Sequence, residues 1–116
     1  MKPPLQALLI APGDGMIADI ITGSQNGSLR EGHRDYKVGQ PIILCCHLAN
    51  FAVMADVTEV KHTVIKDLTT YDIYPAGFDC LEEILPRLRQ FYPKLTANSP
   101  ITVIRWVNVR GAIAGG

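Results

Sequence analysis

One short stretch gathers most of the residues that could do chemistry: Gly23-Ser24-Gln25-Asn26-Gly27-Ser28-Leu29-Arg30-Glu31-Gly32-His33-Arg34-Asp35-Tyr36. It is polar, glycine-rich and carries two arginines, the make-up of a binding wall rather than of a core. A guanidinium presents fork-shaped donors suited to a phosphate or a base edge, so Arg30 is the leading candidate. The Gln25 amide is donor and acceptor at once and can read a base edge. Arg34 and Tyr36 would add a phosphate contact and a stacking surface. Arg105 lies in an apolar strand run, where its charge must meet a cleft, a partner or solvent. Ser28 is a nucleophile only if a neighbouring base takes its proton, and no such base stands out in the sequence. Each residue also has a plainer reading. Arg30 could pair with Glu31, Asp35 or Asp56. Gln25 could be a solvated loop residue, Ser28 could bond a turn, and Arg34-Asp35-Tyr36 could brace a loop.

The flanking sequence must position this wall. Leu5 to Ile10 reads as a buried strand, broken by Pro12-Gly13. Asp14 is a good helix cap, and Ile17, Ile20 and Ile21 recur at helical spacing, which predicts a short helix over about 15–22 ended by Gly23. Asn26-Gly27 is a turn signal. Ser28-Leu29-Arg30 is then a short extended piece. Alternation would turn Leu29 inward and leave Ser28 and Arg30 together on the other face.

Ile42 to Leu48 and Phe51 to Val60 read as a long hairpin turning at Ala49-Asn50. Phe51, Val53, Ala55 and Val57 would share one face, and Lys61 to Ile65 would continue the strand beyond a bend. Lys61 to Lys66 reads as a solvated edge. Asp67 to Thr70 begins a helical turn, and Tyr71 to Gly77 reads as loop. Asp79 with Glu82 predicts the cap of a second helix, with Leu81, Ile84, Leu85, Leu88 and Phe91 inward and a kink at Pro86. Ile101 to Val107 is a strong final strand by composition, and Trp106 reads as core. The order predicts an α+β fold around a small, partly open barrel.

The chain has 116 residues, 47% of them apolar, enough for one compact core. Lysine plus arginine equals aspartate plus glutamate at 11 each. The overall field does not announce a nucleic-acid binder, which is more often basic, though net charge says nothing of local distribution. Cys45, Cys46 and Cys80 are odd in number. The first two are adjacent in a strand and so face opposite ways, which suits free thiols better than a metal. His47 and His62 lack partners at ligand spacing, so neither a metal nor a cofactor is expected. No signal-peptide pattern and no bilayer-length apolar run occurs, which predicts a cytoplasmic protein.

The ordered set of segments resembles the ASCH domains, part of the PUA-like group. Their motif, G-x-K-x-x-T-x-R, reads here Gly23-Ser24-Gln25-Asn26-Gly27-Ser28-Leu29-Arg30. Glycine and arginine keep their places, lysine is replaced by Gln25 and threonine by Ser28. Arg34-Asp35-Tyr36-x-Val38-Gly39, Asp67-Leu68-Thr69, Gly77-Phe78, Phe91-Tyr92-Pro93 and Ile101 to Trp106 extend the likeness from about Gln6 to Val107. The resemblance implies an α+β fold with a small PUA-like mixed β-barrel and two to three flanking helices. It implies a single domain over 1–110 with a tail at 111–116.

The resemblance also implies binding of RNA or a modified nucleoside; together with the residue readings above, the candidate contacts are Gln25, Ser28, Arg30, Arg34, Tyr36 and Arg105. Some small ASCH proteins hydrolyse N4-acetylcytidine with a threonine, a lysine and a glutamate. Here the hydroxyl survives as Ser28, the lysine position is Gln25, and the glutamate position falls on Ala76, with Asp72 close by if the loop shifts. A non-catalytic binding module is therefore expected. The alternatives are an N4-acetylcytidine-type amidohydrolase and a protein-interaction domain with a vestigial cleft.

Overall fold

A computed structural model of the chain describes residues 6–9, 16–46 and 51–114. Five strands form one sheet: β1 (Gln6–Leu9), β2 (Gly27–Glu31), β3 (Pro41–Cys46), β4 (Phe51–Val64) and β5 (Pro100–Ala114). Three short helices accompany them, α1 (Met16–Thr22), α2 (Thr70–Ile73) and α3 (Ile84–Leu88). The strand order is β1-β3-β4-β5-β2. β1 runs parallel to β3, and every other pair is antiparallel. The α+β class is therefore as expected, but the sheet stays open between β1 and β2 instead of closing into a barrel.

Two apolar clusters lie on the two sides of this sheet. One joins Leu8, Ile42, Leu44, Val53, Val57, Ile104 and Trp106 to Ile20 of α1. The other joins Leu29, Ile101 and Val103 to Ile73, Ile84 and Leu88 of the small helices. Strand alternation explains the split on β5 from Ile101 to Trp106, where Ile104 and Trp106 serve the first cluster and Ile101 and Val103 the second. β4 changes phase midway. Its register against β5 shifts between Val57 and Glu59, so Val57 and Val60 serve the same cluster although three residues apart. Truncating a fully buried aliphatic here, such as Ile104, should cost about 2–5 kcal/mol.

Val53, Ala55 and Val57 share a buried face, as alternation requires. β4 continues to Val64, through the expected extension beyond Val60, while β5 outruns its expected end and pairs with β4 as far as Ala114. Residues 71–77 hold α2 and a 3-10 turn where loop was expected. The cause is a capping box, in which Thr69 and Asp72 satisfy each other's backbone N–H groups.

Asp79 is not the cap of the next helix. A 3-10 turn over Leu81–Glu83 begins after Cys80, without a side-chain cap, and α3 follows. Pro86 is the third residue of α3, within the first turn, where its missing N–H costs no helical bond. Leu81 and Phe91, expected inward, are exposed because the helical segment is short and broken. The expected cap at Asp14, the turn at Ala49-Asn50 and His47 lie outside the described residues.

Cys45, Cys46 and Cys80 are free, with only Cys46 buried. Among the described residues no helix is long and apolar enough to cross a membrane, and no metal-binding group of side chains forms.

Candidate functional site

β2 is the edge strand that carries the polar stretch. Its partner register pairs Gly27 with Arg105, Ser28 with Ile104, Leu29 with Val103 and Arg30 with Thr102. Leu29 is buried in the helix-side cluster, so Ser28 and Arg30 share the other face. There the Arg30 Nε–H donates to the Ser28 hydroxyl across 3.1 Å.

Thr102 stands opposite Arg30 and is fully buried. Its hydroxyl donates to the Gly32 carbonyl at 2.7 Å and accepts from the Arg34 N–H at 2.8 Å. Gly32 has φ of 81°, a left-handed value that turns the chain out of β2. Across β5, Thr102 also pairs with His62 of β4. The His62 Nε2–H donates to the Arg34 carbonyl at 2.8 Å, and that of His33 to the Thr63 carbonyl at 3.0 Å. A carbonyl only accepts, so these contacts assign the proton to Nε2 in both rings. The rings stack with centroids 4.8 Å apart. The turn after β2 is thus pinned to the sheet by three side chains.

Arg30 carries a lowered pKa. Burial is the main cause and Arg34 adds to it, while the phenols of Tyr92 and Tyr36 oppose it. Arg30 takes part in none of the ion pairs among the described residues. Asp56, one of its expected partners, bonds Arg110 at 3.0 Å instead. Arg34 is exposed, with its Nε on the Glu31 carbonyl at 3.0 Å. Tyr36 is half-buried against the first cluster. Ser28, Arg30, Arg34 and Tyr36 therefore gather at one end of the sheet, joined by His33, His62, Tyr92 and Thr102.

Arg105 and Gln25 do not join them. Arg105 is three residues from Thr102 along β5 and projects from the opposite face. Its guanidinium lies 4.3 Å over the Tyr71 ring, and one terminal nitrogen is buried without a hydrogen-bond partner among the described residues. Gln25 is buried at the other end of β2, its amide 3.5 Å from the Gly27 carbonyl and close against Gly77. It is neither a solvated loop residue nor a neighbour of Arg30.

Lys61 is no solvated edge residue. Its ammonium lies 2.9 Å from the Asp72 carboxylate, which Thr69 also bonds. This pair lies with Arg105 on the helix side. Ala76 is buried in the 3-10 turn after α2. Among the described residues no group able to take a proton contacts the Ser28 hydroxyl, whose partner is the Arg30 guanidinium.

His33, His62, Tyr92 and Thr102 were not singled out as site residues from the sequence. His62 could have been placed with Arg30 only by knowing the phase shift in β4. Thr102 carried a signal of its own, a hydroxyl inside an otherwise apolar strand.

Neither a protein-family model nor a curated protein matches the sequence. Solved structures do match the fold. An ASCH domain from Lactobacillus crispatus superposes with a TM-score of 0.69 at 10% identity, covering 88% of this chain and 77% of that one. An ASCH protein from Zymomonas mobilis gives 0.62 at 10% identity, over 90% and 66%. A protein from Enterococcus faecalis gives 0.71 at 12% identity, over 100% and 87%. The open mixed sheet with its short flanking helices is thus an α+β fold shared with these solved structures. More narrowly, it is the fold of the ASCH domain structures.

Proposed function

We propose that the chain is a non-catalytic binding module for RNA or a modified nucleoside, gripping its ligand at Arg30. The observation that carries this reading is a half-buried guanidinium with no carboxylate against it among the described residues. A desolvated charge without a counter-charge is costly, and an anionic ligand group would remove that cost. Arg34 adds a second cation, Tyr36 and Tyr92 add rings, and the Ser28 hydroxyl fixes the orientation of the fork. The fold shared with ASCH domains agrees with this reading.

Hydrolysis of an acylated cytidine is disfavoured. A hydroxyl whose neighbour is a guanidinium has no base to activate it. The carboxylate nearest the expected position, Asp72, lies with Lys61 on the opposite side of the sheet. The test is binding of single-stranded RNA by the Arg30→Ala and Arg30→Lys variants. Both should bind more weakly, lysine less so, because it keeps the charge but loses the fork. Unchanged binding by Arg30→Ala would overturn the proposal.

A further inference from the structure

A row of three residues crosses the sheet on the face that carries Ser28 and Arg30. Arg30 of β2 stands opposite Thr102 of β5, and Thr102 stands opposite His62 of β4. Residues directly opposite share a face. Neighbouring strands lie about 4.8 Å apart, which sets Arg30 and His62 about 10 Å apart across the buried threonine. That is close to the screening length at ordinary salt, about 8–10 Å, so a charge on the ring is still felt at Arg30.

His62 and His33 form a reciprocal clamp. His33, in the turn after β2, bonds the Thr63 carbonyl of β4, and His62 of β4 bonds the Arg34 carbonyl of the turn. Thr102 accepts from the Arg34 N–H, so both backbone groups of Arg34 are tied to the sheet. Each ring spends its Nε2–H on a carbonyl, which leaves a bare lone pair on Nδ1. Neither Nδ1 has a hydrogen-bond partner among the described residues, and both histidines are exposed. A proton from water can therefore enter at Nδ1 without breaking the clamp, and it strengthens the Nε2–H bond already made.

Imidazole is the side chain that changes charge between about pH 5 and 8. On the elements that meet at the pair, Arg30 of β2, Arg34 of the turn, Lys61 of β4 on the other face and Lys66 after β4 oppose an imidazolium. Glu31 of β2 and Asp35 of the turn favour it, the phenols of Tyr36 and Tyr92 are neutral in this range, and Ile101 to Ile104 of β5 bring no ionisable group. A second imidazolium 4.8 Å from the first is opposed by it. A phosphate held at Arg30 brings negative charge to this balance and shifts it toward protonation.

We infer that His33 and His62 are the proton-responsive part of the Arg30 site: they position Arg34, and an anionic ligand draws a proton from water onto the pair. The inference rests on the reading of Arg30 as the ligand grip and adds a regulation to it. Linkage is reciprocal, so a ligand that promotes protonation is itself bound more tightly as pH falls.

The probe is an oligouridylate without terminal phosphates, because a terminal phosphate, with a second pKa of about 6, would titrate in the same range. Its affinity for the native chain should rise about three- to tenfold from about pH 7.5 to about pH 5.5 at constant ionic strength. His33→Gln and His62→Gln each keep an amide donor but cannot titrate. Each should lose part of the rise and the double variant nearly all of it, whereas His47→Gln, at the chain's remaining histidine, should keep it. A purely structural clamp would instead weaken binding by the same factor at both pH values. On the native chain alone, adding the oligouridylate near pH 6.5 should move the His33 and His62 ring resonances toward the protonated form. Circular dichroism would check the fold of each variant. Binding that depends on Arg30 yet is flat with pH, a rise that survives in the double variant, or ring resonances that do not move would overturn the inference and leave the Arg30 reading standing. Binding untouched by Arg30→Ala at both pH values would overturn the Arg30 reading and this inference with it.

Discussion

The Thr102 hydroxyl bonds the Arg34 N–H and the Gly32 carbonyl at once, from a fully buried position opposite Arg30. It ties the turn after β2 to the middle of the sheet. Thr102→Val keeps the shape and removes both bonds. Leaving two backbone groups unpaired should cost about 1–3 kcal/mol. Thermal denaturation checks the stability loss. Amide hydrogen exchange should rise most at Arg34, and equal protection there would refute the pinning role.

Lys61 and Asp72 make a different kind of contact. Burial alone would raise the Asp72 carboxyl pKa, but hydrogen bonds from Lys61 and Thr69 outweigh it and hold the group below the usual carboxylate range. A depressed folded pKa contributes stability that is fully present above the unfolded value, about 3.9, and is lost as pH falls through the folded one. Denaturation midpoints measured from pH 6 downward should thus fall below about pH 4, and Asp72→Asn should flatten that limb. Lys61→Met should cost about 1.5–3 kcal/mol near neutral pH. A fully buried pair would lose more, but the Lys61 side chain is 40% exposed. An unchanged acid limb in Asp72→Asn would show that the carboxylate adds nothing.

Gly27 is a packing requirement, not a flexible hinge. A Cβ there would meet the Ile104 carbonyl oxygen and the Pro75 Cβ, each at 3.0 Å. The first is backbone of β5, an interior strand paired on both sides, and cannot yield cheaply. Gly27→Ala should therefore destabilise by about 1–3 kcal/mol, as overpacking does. Gly23, at the end of α1, has nothing within 4 Å of its would-be Cβ but holds a φ of 87°. Gly23→Ala should cost about 1 kcal/mol through backbone strain alone. Urea denaturation of the two variants separates these causes, since Gly23→Asn should recover part of the loss and Gly27→Asn should not.

The strands were legible because their apolar residues alternate, and the pairing of Ser28 with Arg30 followed from the same alternation. Two things were hidden. The phase shift between Val57 and Glu59 has no marker residue, so the sides taken by Lys61 and His62 could not be read. The capping box at Thr69 and Asp72 is too short to show hydrophobic periodicity, so α2 looked like loop. Arg105 was grouped with Arg30 because a charge inside an apolar strand run must meet a cleft, a partner or solvent. Only the cross-strand register, Gly27 against Arg105 and Thr102 against Arg30, separates them. Open or closed sheet is likewise a matter of long-range pairing, which local pattern does not encode.

The most direct test of the account is the salt dependence of single-stranded RNA binding by the native chain and by Arg30→Ala. Losing charge-assisted hydrogen bonds worth about 1.5–3 kcal/mol should weaken binding about 10- to 100-fold at low salt. The slope of log K against log salt should shrink by about 0.7, the value for one phosphate contact on a single strand. Equal affinity and equal slope in the two proteins would contradict a ligand held by Arg30.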